Sequence, residues 1–235
     1  MIETVRTVHE EARVSLESII DQETRRRYAE QGWGESRIGL GGMPALVIVD
    51  MQHDFVDPDS PSTCAPIALE RIPAIQTILD AARQSGIPVF HTQGIVKADL
   101  SDLGLWKGSA KRAGRCQIEG THGAEIIPEL APVDGEYVVR KTRPSAFFGT
   151  DLHEQLQSLD VDTLLVVGAS MSGCVRATVT DGFSYDYRVA VVRECVVDRT
   201  EALVAWNLFD VAAKYADDVS LAEATAYLAT QTTRV

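Results

Sequence analysis

Two short segments, Ala45–Val49 and Thr163–Val167, are almost continuously apolar. A run of this kind is typical of a β-strand that is buried on both faces, because an exposed face would show polar residues at every second position. Strands buried in this way belong mainly to parallel sheets, which carry helices on both sides. The chain is therefore constrained towards an α/β architecture.

Further predicted strands alternate with predicted helices along the rest of the chain. Strands are predicted at Ile87–Phe90, Glu136–Arg140, Val189–Val192 and Asp218–Leu221. Helices are predicted over a stripe from Ile72 to Ala82 that stops at Gly86, over Asp151–Leu159, after Cys174, over Glu201–Tyr215 and at the end of the chain. This alternation predicts a parallel sheet covered on both faces, a three-layer α/β fold.

The chain is divided into an N-terminal helical arm, residues 1–40, and a single domain, residues 41–235. Within the arm, Val8–Gln31 is polar and charged, and the run Asp21–Arg27 favours helix but offers little to bury. We interpret it as an arm that packs on a neighbour or caps an edge. A frayed, solvated terminus is an equal alternative.

The charge balance narrows the possible partners. The 235 residues include 22 Lys and Arg against 34 Asp and Glu, a formal net charge of −12. Such a surface repels phosphate backbones and anionic lipid, so we expect neither nucleic acid nor a membrane as partner. The chain shows no basic segment followed by an apolar run at its start, and no apolar run near ~20 residues. We expect a cytoplasmic protein with reduced thiols that acts on a small molecule.

Three polar residues stand where predicted strands end. Asp50 follows the first apolar strand, Lys141 ends the third strand, and Cys174 lies in the turn after the Thr163 strand. Reactive groups in parallel sheets collect at the carboxyl ends of the strands, so these three residues are expected to converge. Each also has an ordinary interpretation: a loop cap, a surface ammonium and a buried structural thiol.

The turn Gly168–Cys174 consists mostly of small residues and leads into a predicted helix. A helix N-terminus favours thiolate, and free backbone N–H groups in such a turn can bind an oxyanion. Asp50 could take the thiol proton and return it to a leaving amine, and Lys141 could stabilise both anions. No histidine except His53 lies near these turns, so a Cys–His pair is the weaker alternative.

Three segments then resemble one family, the isochorismatase-like cysteine hydrolases. They are Ala45–Phe55 with its Asp50, Lys141–Leu152, and Gly168–Thr178 with its Cys174. Three motifs in the right order make the resemblance specific, and it covers roughly Tyr28 to the C-terminus. Within the family, the resemblance is greatest to the N-carbamoylsarcosine and maleamate amidohydrolases, through segments Tyr28–Gly34, Asp57–Pro61 and Asn207–Asp217.

The resemblance implies a six-stranded parallel sheet and an Asp50–Lys141–Cys174 triad. It also implies a cis peptide bond between Ala169 and Ser170, and an oxyanion hole made by the N–H groups of Ser170 and Cys174. A homotetramer is favoured, with a dimer as the alternative. No cofactor is expected. No metal is expected either, because the segment after Asp50 lacks the Asp-x-His…His set of nicotinamidases; His53 is interpreted as a loop or wall residue.

Substrate contacts are expected from three residues. The position of Arg199 resembles that of an arginine that binds a substrate carboxylate, and a guanidinium suits that role. An ion pair with Asp198 or Glu201 is an almost equal alternative for Arg199. Phe55 and Trp106 are candidates for the walls of the pocket, although ordinary packing would also explain each of them.

The predicted function is hydrolysis of a linear carbamoyl, ureido or amide C–N bond in a small, carboxylate-bearing molecule, with release of ammonia through a thioester on Cys174. An N-carbamoylsarcosine-type substrate is favoured, with maleamate and biuret or triuret as alternatives. Vinyl ether hydrolysis on the same fold does not need a Cys nucleophile. A non-catalytic binding module would not need Asp50, Lys141 and Cys174 together.

Overall fold

The computed structural model describes residues 20–34, 36–105 and 117–231. Its centre is one six-stranded sheet in which every neighbouring pair is parallel. The strands are β1 (Pro44–Val49), β2 (Val89–Gly94), β3 (Tyr137–Lys141), β4 (Thr163–Ala169), β5 (Arg188–Val197) and β6 (Asp217–Val219). Their order in the sheet is β3-β2-β1-β4-β5-β6. The predicted parallel α/β sheet is confirmed.

Helices connect the strands. In the described residues they are α1 (Gln22–Glu30), α2 (His53–Val56), α3 (Ile67–Ser85), α4 (Leu152–Ser158), α5 (Arg176–Ser184), α6 (Glu201–Lys214) and α7 (Leu221–Ala229). Two 3-10 turns, His122–Ala124 and Pro128–Leu130, lie between β2 and β3. None of the helices in these ranges is long and apolar enough to cross a membrane.

The two faces of the sheet are covered by different helices. Successive side chains of a strand point to opposite faces, so Leu46 and Ile48 of β1 join the core beneath α3 and α7. Val47 and Val49 join the second core, beneath α4, α5 and α6. Each fully buried Val, Leu or Ile contributes roughly 1.5–3 kcal/mol to folding. The three-layer prediction is confirmed, and the continuous apolar runs are explained by burial on both faces.

The fifth strand is longer than the sequence pattern predicts. The apolar run stops at Val192, but β5 continues to Val197. Its pairing with β4 is regular up to Val166 and resumes at Gly168, so an irregularity in between accommodates the polar residues Arg193 and Glu194. The prediction of an end at Val192 was wrong, and the extension carries the chain to the end of the sheet where β4 also ends.

The described part of the N-terminal arm packs on its own domain. Asp21 caps α1 by accepting a hydrogen bond from the Thr24 N–H (2.6 Å). The Tyr28 hydroxyl donates to Asp210 on α6 (3.0 Å), and its ring lies 5.1 Å from that of Phe209. The first part of the arm, residues 1–19, is outside the described residues. Between Gln22 and Glu30 the arm is a helix that contacts α6 through Tyr28.

Candidate active site

Asp50, Lys141 and Cys174 come together at one end of the sheet. Asp50 directly follows β1, Lys141 is the last residue of β3, and Cys174 lies in the turn that follows β4. The Lys141 Nζ donates to Asp50 Oδ2 over 2.6 Å, and both side chains are about 1% exposed. The Cys174 thiol interacts with both groups. The topology of a parallel sheet therefore brings together residues that lie far apart in sequence.

Asp50 is held by backbone geometry and by a threonine. Its φ of 46° lies in the left-handed region, which turns the chain sharply at the end of β1. Its N–H donates to Thr92 Oγ1 (3.1 Å), and the Thr92 hydroxyl donates to Asp50 Oδ1 (2.6 Å). Each carboxylate oxygen therefore has a partner. Sequence reasoning missed Thr92, because it ended the second strand at Phe90; a hydroxyl near the end of a neighbouring strand was the available signal.

A glycine allows β4 to pass close to the strand that carries Asp50. Gly168 has a φ of 103°, and a Cβ placed on it would lie 2.2 Å from the Val49 carbonyl oxygen. Only glycine fits so near the neighbouring backbone. The next peptide bond, between Ala169 and Ser170, is cis. The turn that carries Cys174 thus begins beside the end of β1.

Cys174 lies within a single π-helical turn, Met171–Val175, that leads into α5. The Ser170 carbonyl accepts hydrogen bonds from the N–H groups of Gly173 (2.9 Å) and Val175 (3.1 Å). The Ser172 N–H donates to Oδ2 of Asp198 (2.6 Å), a fully buried carboxylate just after β5. π-Turns are rare and are often found at functional sites. The role of Asp198 as an anchor of this turn was not foreseen, because the strand that delivers it was predicted to end earlier.

The electrostatics of the triad favour a neutral thiol at rest. Burial, reinforced by the Asp50 carboxylate, raises the pKa of Cys174 to about 12, although Lys141 acts in the opposite direction. Burial also disfavours the charge on Lys141, but Asp50 and Cys174 outweigh it and hold the pKa of Lys141 above its ordinary value. This direction is opposite to the one that a helix terminus alone would give, because desolvation and the nearby carboxylate disfavour the thiolate.

The triad opens into a cavity of about 330 Å³. Its described lining is Asp50, Phe55, Pro61, Ser62, Gly94, Ile95, Val96, Leu103, Gln117, Lys141, Thr142, Arg143, Pro144, Ser170, Ser172, Gly173, Cys174 and Arg199. Phe55 therefore lies in the cavity wall, and Trp106 is outside the described residues. None of the lining residues in the described ranges is a histidine, so Asp50 is the base nearest the thiol.

Two guanidinium groups line the cavity. Arg199 contacts Asp198 Oδ1 (3.4 Å) and donates to the Ser62 carbonyl (3.1 Å). The ion pair with Asp198 that the sequence offered as an alternative is therefore present, and Arg199 also lies in the cavity wall. Arg143 donates to the Thr142 carbonyl (2.7 Å). Sequence reasoning assigned no role to Arg143, although it lies two residues after Lys141. The cavity therefore combines the Cys174 thiol with two guanidinium groups.

Comparison with known proteins agrees with this geometry. Residues 44–223 match the family described as "Isochorismatase domain". The chain belongs to the isochorismatase family. Its relatives in this family include N-carbamoylsarcosine amidase from Arthrobacter sp., 37% identical over 206 residues that cover 86% of this chain and 76% of that enzyme. Maleamate amidohydrolase from Pseudomonas putida is 35% identical over 205 residues, which cover 87% of this chain and 95% of that enzyme.

A solved structure of the family has the same fold. The isochorismatase family protein from Desulfovibrio vulgaris superimposes with a TM-score of 0.75 and 38% identity. The match covers 80% of this chain and all of that chain. The resemblance inferred from the three motifs is therefore confirmed at the level of sequence family and fold.

Proposed function

We propose that this amidohydrolase of the isochorismatase family cleaves a carbamoyl C–N bond in a small, carboxylate-bearing substrate of the N-carbamoylsarcosine type and releases ammonia. The observation that carries the proposal is the buried Asp50–Lys141 pair placed against Cys174 at the base of a small cavity. The two amidohydrolases among its relatives act on molecules that carry both a carboxylate and an amide or carbamoyl group.

The first step is attack by the thiol sulfur on the substrate carbonyl. Because the Cys174 thiol is neutral at rest, its proton must leave as the bond forms, and Asp50 is positioned to accept it. Lys141 stabilises the negative charge throughout, since it contacts both groups. The N–H groups of Ser170 and Cys174 are proposed to bind the carbonyl oxygen as it becomes an oxyanion.

The second half of the reaction returns the proton. Asp50 protonates the departing nitrogen, so the C–N bond breaks, ammonia leaves and a thioester remains on Cys174. Water then attacks the thioester with Asp50 as base, and the thiolate recovers the proton from Asp50. Each proton is thus taken and returned by one carboxylate. Its two oxygens are held by Thr92 and Lys141.

The cavity supports a small and anionic substrate. About 330 Å³ lies at the lower end of the range for small-molecule sites. Arg199 is proposed to bind the substrate carboxylate; its side chain is about 45% exposed and its guanidinium lies beside Asp198. The carbamoyl group would then lie towards Cys174. Maleamate is the alternative favoured by a specific relative, and it keeps the same carboxylate requirement.

A substrate panel tests the proposal. Ammonia release is measured with N-carbamoylsarcosine, maleamate and biuret; the first two carry a carboxylate and biuret does not. We expect turnover of a carboxylate-bearing compound, its loss in Cys174→Ala, and a KM at least tenfold higher in Arg199→Ala. Undiminished ammonia release by Cys174→Ala would overturn the thioester mechanism. Preferential turnover of biuret, or an unchanged KM in Arg199→Ala, would overturn the carboxylate assignment.

A further inference from the structure

A second group of chemically active side chains lies outside the cavity. His53 is the first residue of α2, His122 begins the 3-10 turn His122–Ala124, and Glu125 follows that turn. One possible ligand atom from each of the three lies within 4.8 Å of the others. The two imidazole ring centroids lie 3.8 Å apart, and the ring planes are tilted by 33°. We propose that this cluster binds a divalent transition-metal ion of the zinc type.

The backbone brings the three residues together. The His53 N–H donates to the Glu125 carbonyl (3.0 Å), and Gln52 pairs with Ile126 in an isolated antiparallel bridge. The Glu125 N–H donates in turn to the His122 carbonyl (3.0 Å). These bonds fix the two segments side by side without any help from the side chains. Only the exposed side-chain ends would need to move when an ion binds.

A fourth residue, Asp57, contacts both rings. Asp57 Oδ1 lies 3.0 Å from His53 Nδ1, and Asp57 Oδ2 lies 3.4 Å from His122 Nε2. Glu125 Oε2 lies 3.5 Å from His122 Nδ1. Histidines that bind metals usually have a carboxylate on their second nitrogen, which sets the tautomer and the direction of the ring. Asp57 occupies that position for both imidazoles at once.

The composition of the cluster selects the kind of ion. Two imidazoles with a carboxylate suit Zn²⁺, Ni²⁺ or Cu²⁺, whereas Mg²⁺ and Ca²⁺ prefer oxygen ligands. Ligand atoms around a tetrahedral Zn²⁺ are separated by roughly 3.3 Å, since each bond is about 2.0–2.1 Å. Side-chain rotation closes the gap from 4.8 Å, because His122 and Glu125 are about two-thirds exposed. Water would complete the coordination.

The ion would hold the cavity wall together. Phe55, two residues after His53, lines the cavity. Asp54 accepts a hydrogen bond from the side chain of Gln117 (2.8 Å), which also lines the cavity. A metal joining α2 to the segment after Gln117 would stabilise this wall from outside without touching the reacting atoms. This proposal differs from the expectation of a metal-free protein, which was based only on the sequence after Asp50.

Zinc titration in a chain without the active-site thiol tests the proposal. The background is Cys174→Ala, which removes the thiol that opens into the cavity, while Cys64 and Cys195 are fully buried. The background, dialysed against chelator, is titrated with Zn²⁺ in competition with a chromophoric indicator, and Co²⁺ absorption reports the ligand field. His122→Gln and Glu125→Gln are added separately. His153→Gln, on α4, is the matched control.

We expect one equivalent of Zn²⁺ to bind the background, at least tenfold weaker binding in both His122→Gln and Glu125→Gln, and unchanged binding in His153→Gln. The melting temperature should rise with Zn²⁺ only where binding is retained. The proposal would be overturned if the background did not bind Zn²⁺, or if His122→Gln or Glu125→Gln bound it as tightly as the background. It would also be overturned if His153→Gln lost as much affinity as those two variants. None of these outcomes depends on the substrate, so the proposed reaction is tested separately.

Discussion

The buried ion pair between Lys141 and Asp50 allows the cost of one substitution to be worked out. The two side chains are about 1% exposed and their charged atoms are 2.6 Å apart. Lys141→Met keeps the apolar stem but leaves the Asp50 carboxylate buried without its cation. Removing one partner of a buried pair costs about 3–5 kcal/mol. Because Thr92 still donates to the carboxylate, we expect a loss in free energy of unfolding towards the lower end of that range.

A double-mutant cycle separates the charge interaction from general packing. Asp50→Asn keeps the Thr92 hydrogen bond and tolerates the left-handed backbone of this position, but leaves Lys141 without an anion. The double variant Lys141→Met/Asp50→Asn contains neither buried charge. We therefore expect it to be more stable than the sum of the two single losses predicts, by about 2–3 kcal/mol. Urea unfolding followed by circular dichroism measures all four proteins.

The neighbouring residue supplies the control. Arg140 precedes Lys141 on β3 and pairs with Glu119 at 2.6 Å, with both side chains about half exposed. Arg140→Met should cost less than about 1 kcal/mol, since solvent screens the pair. If the losses of Lys141→Met and Asp50→Asn simply add, the two charges do not stabilise each other and the reasoning is refuted. All three variants of the pair should lose ammonia release, whatever their stability.

Three further properties of the protein can be tested. Thr92→Val removes the hydroxyl that donates to Asp50, so it should lower stability by about 1.5–3 kcal/mol and slow turnover, while Thr92→Ser restores most of both; an unchanged Thr92→Val enzyme would contradict this. Burial raises the pKa of Glu136, but hydrogen bonds from Arg83 and His91 outweigh it and lower that pKa to about 2. The stability it contributes is therefore present above its ordinary value of 4.5 and is lost as the pH falls towards 2, and unfolding of Glu136→Gln should lack this part of the acid dependence. Light scattering should give the mass of a homotetramer, and a monomer would refute that expectation.

The layers of the fold can be predicted from the sequence because strands buried on both faces are continuously apolar. β1 and β4 are recognisable because both of their faces are buried. The positions that would be polar in a strand with one exposed face are therefore apolar as well. The ends of β2 and β5 are not recognisable in this way. Beyond Phe90, β2 carries polar residues but stays paired with β3; beyond Val192, β5 carries Arg193 and Glu194 before its pairing with β4 resumes at Val196. Strand ends at a functional edge are therefore the places where an apolar pattern stops before the structure does.

The same physical fact decides which site residues could be predicted. Asp50, Lys141 and Cys174 adjoin apolar runs or a turn of small residues, so their position at the sheet edge can be predicted from the sequence. Thr92 and Asp198 occupy equivalent places, at or just beyond the unrecognised ends of β2 and β5. They hold, respectively, the Asp50 carboxylate and the turn that carries Cys174. The protonation state of the Cys174 thiol cannot be predicted from sequence for a related reason. Burial and the Asp50 charge raise its pKa, and both depend on packing in three dimensions. The three residues brought together at the sheet edge can thus be found from motifs, whereas the groups that hold them in place require the paired strands.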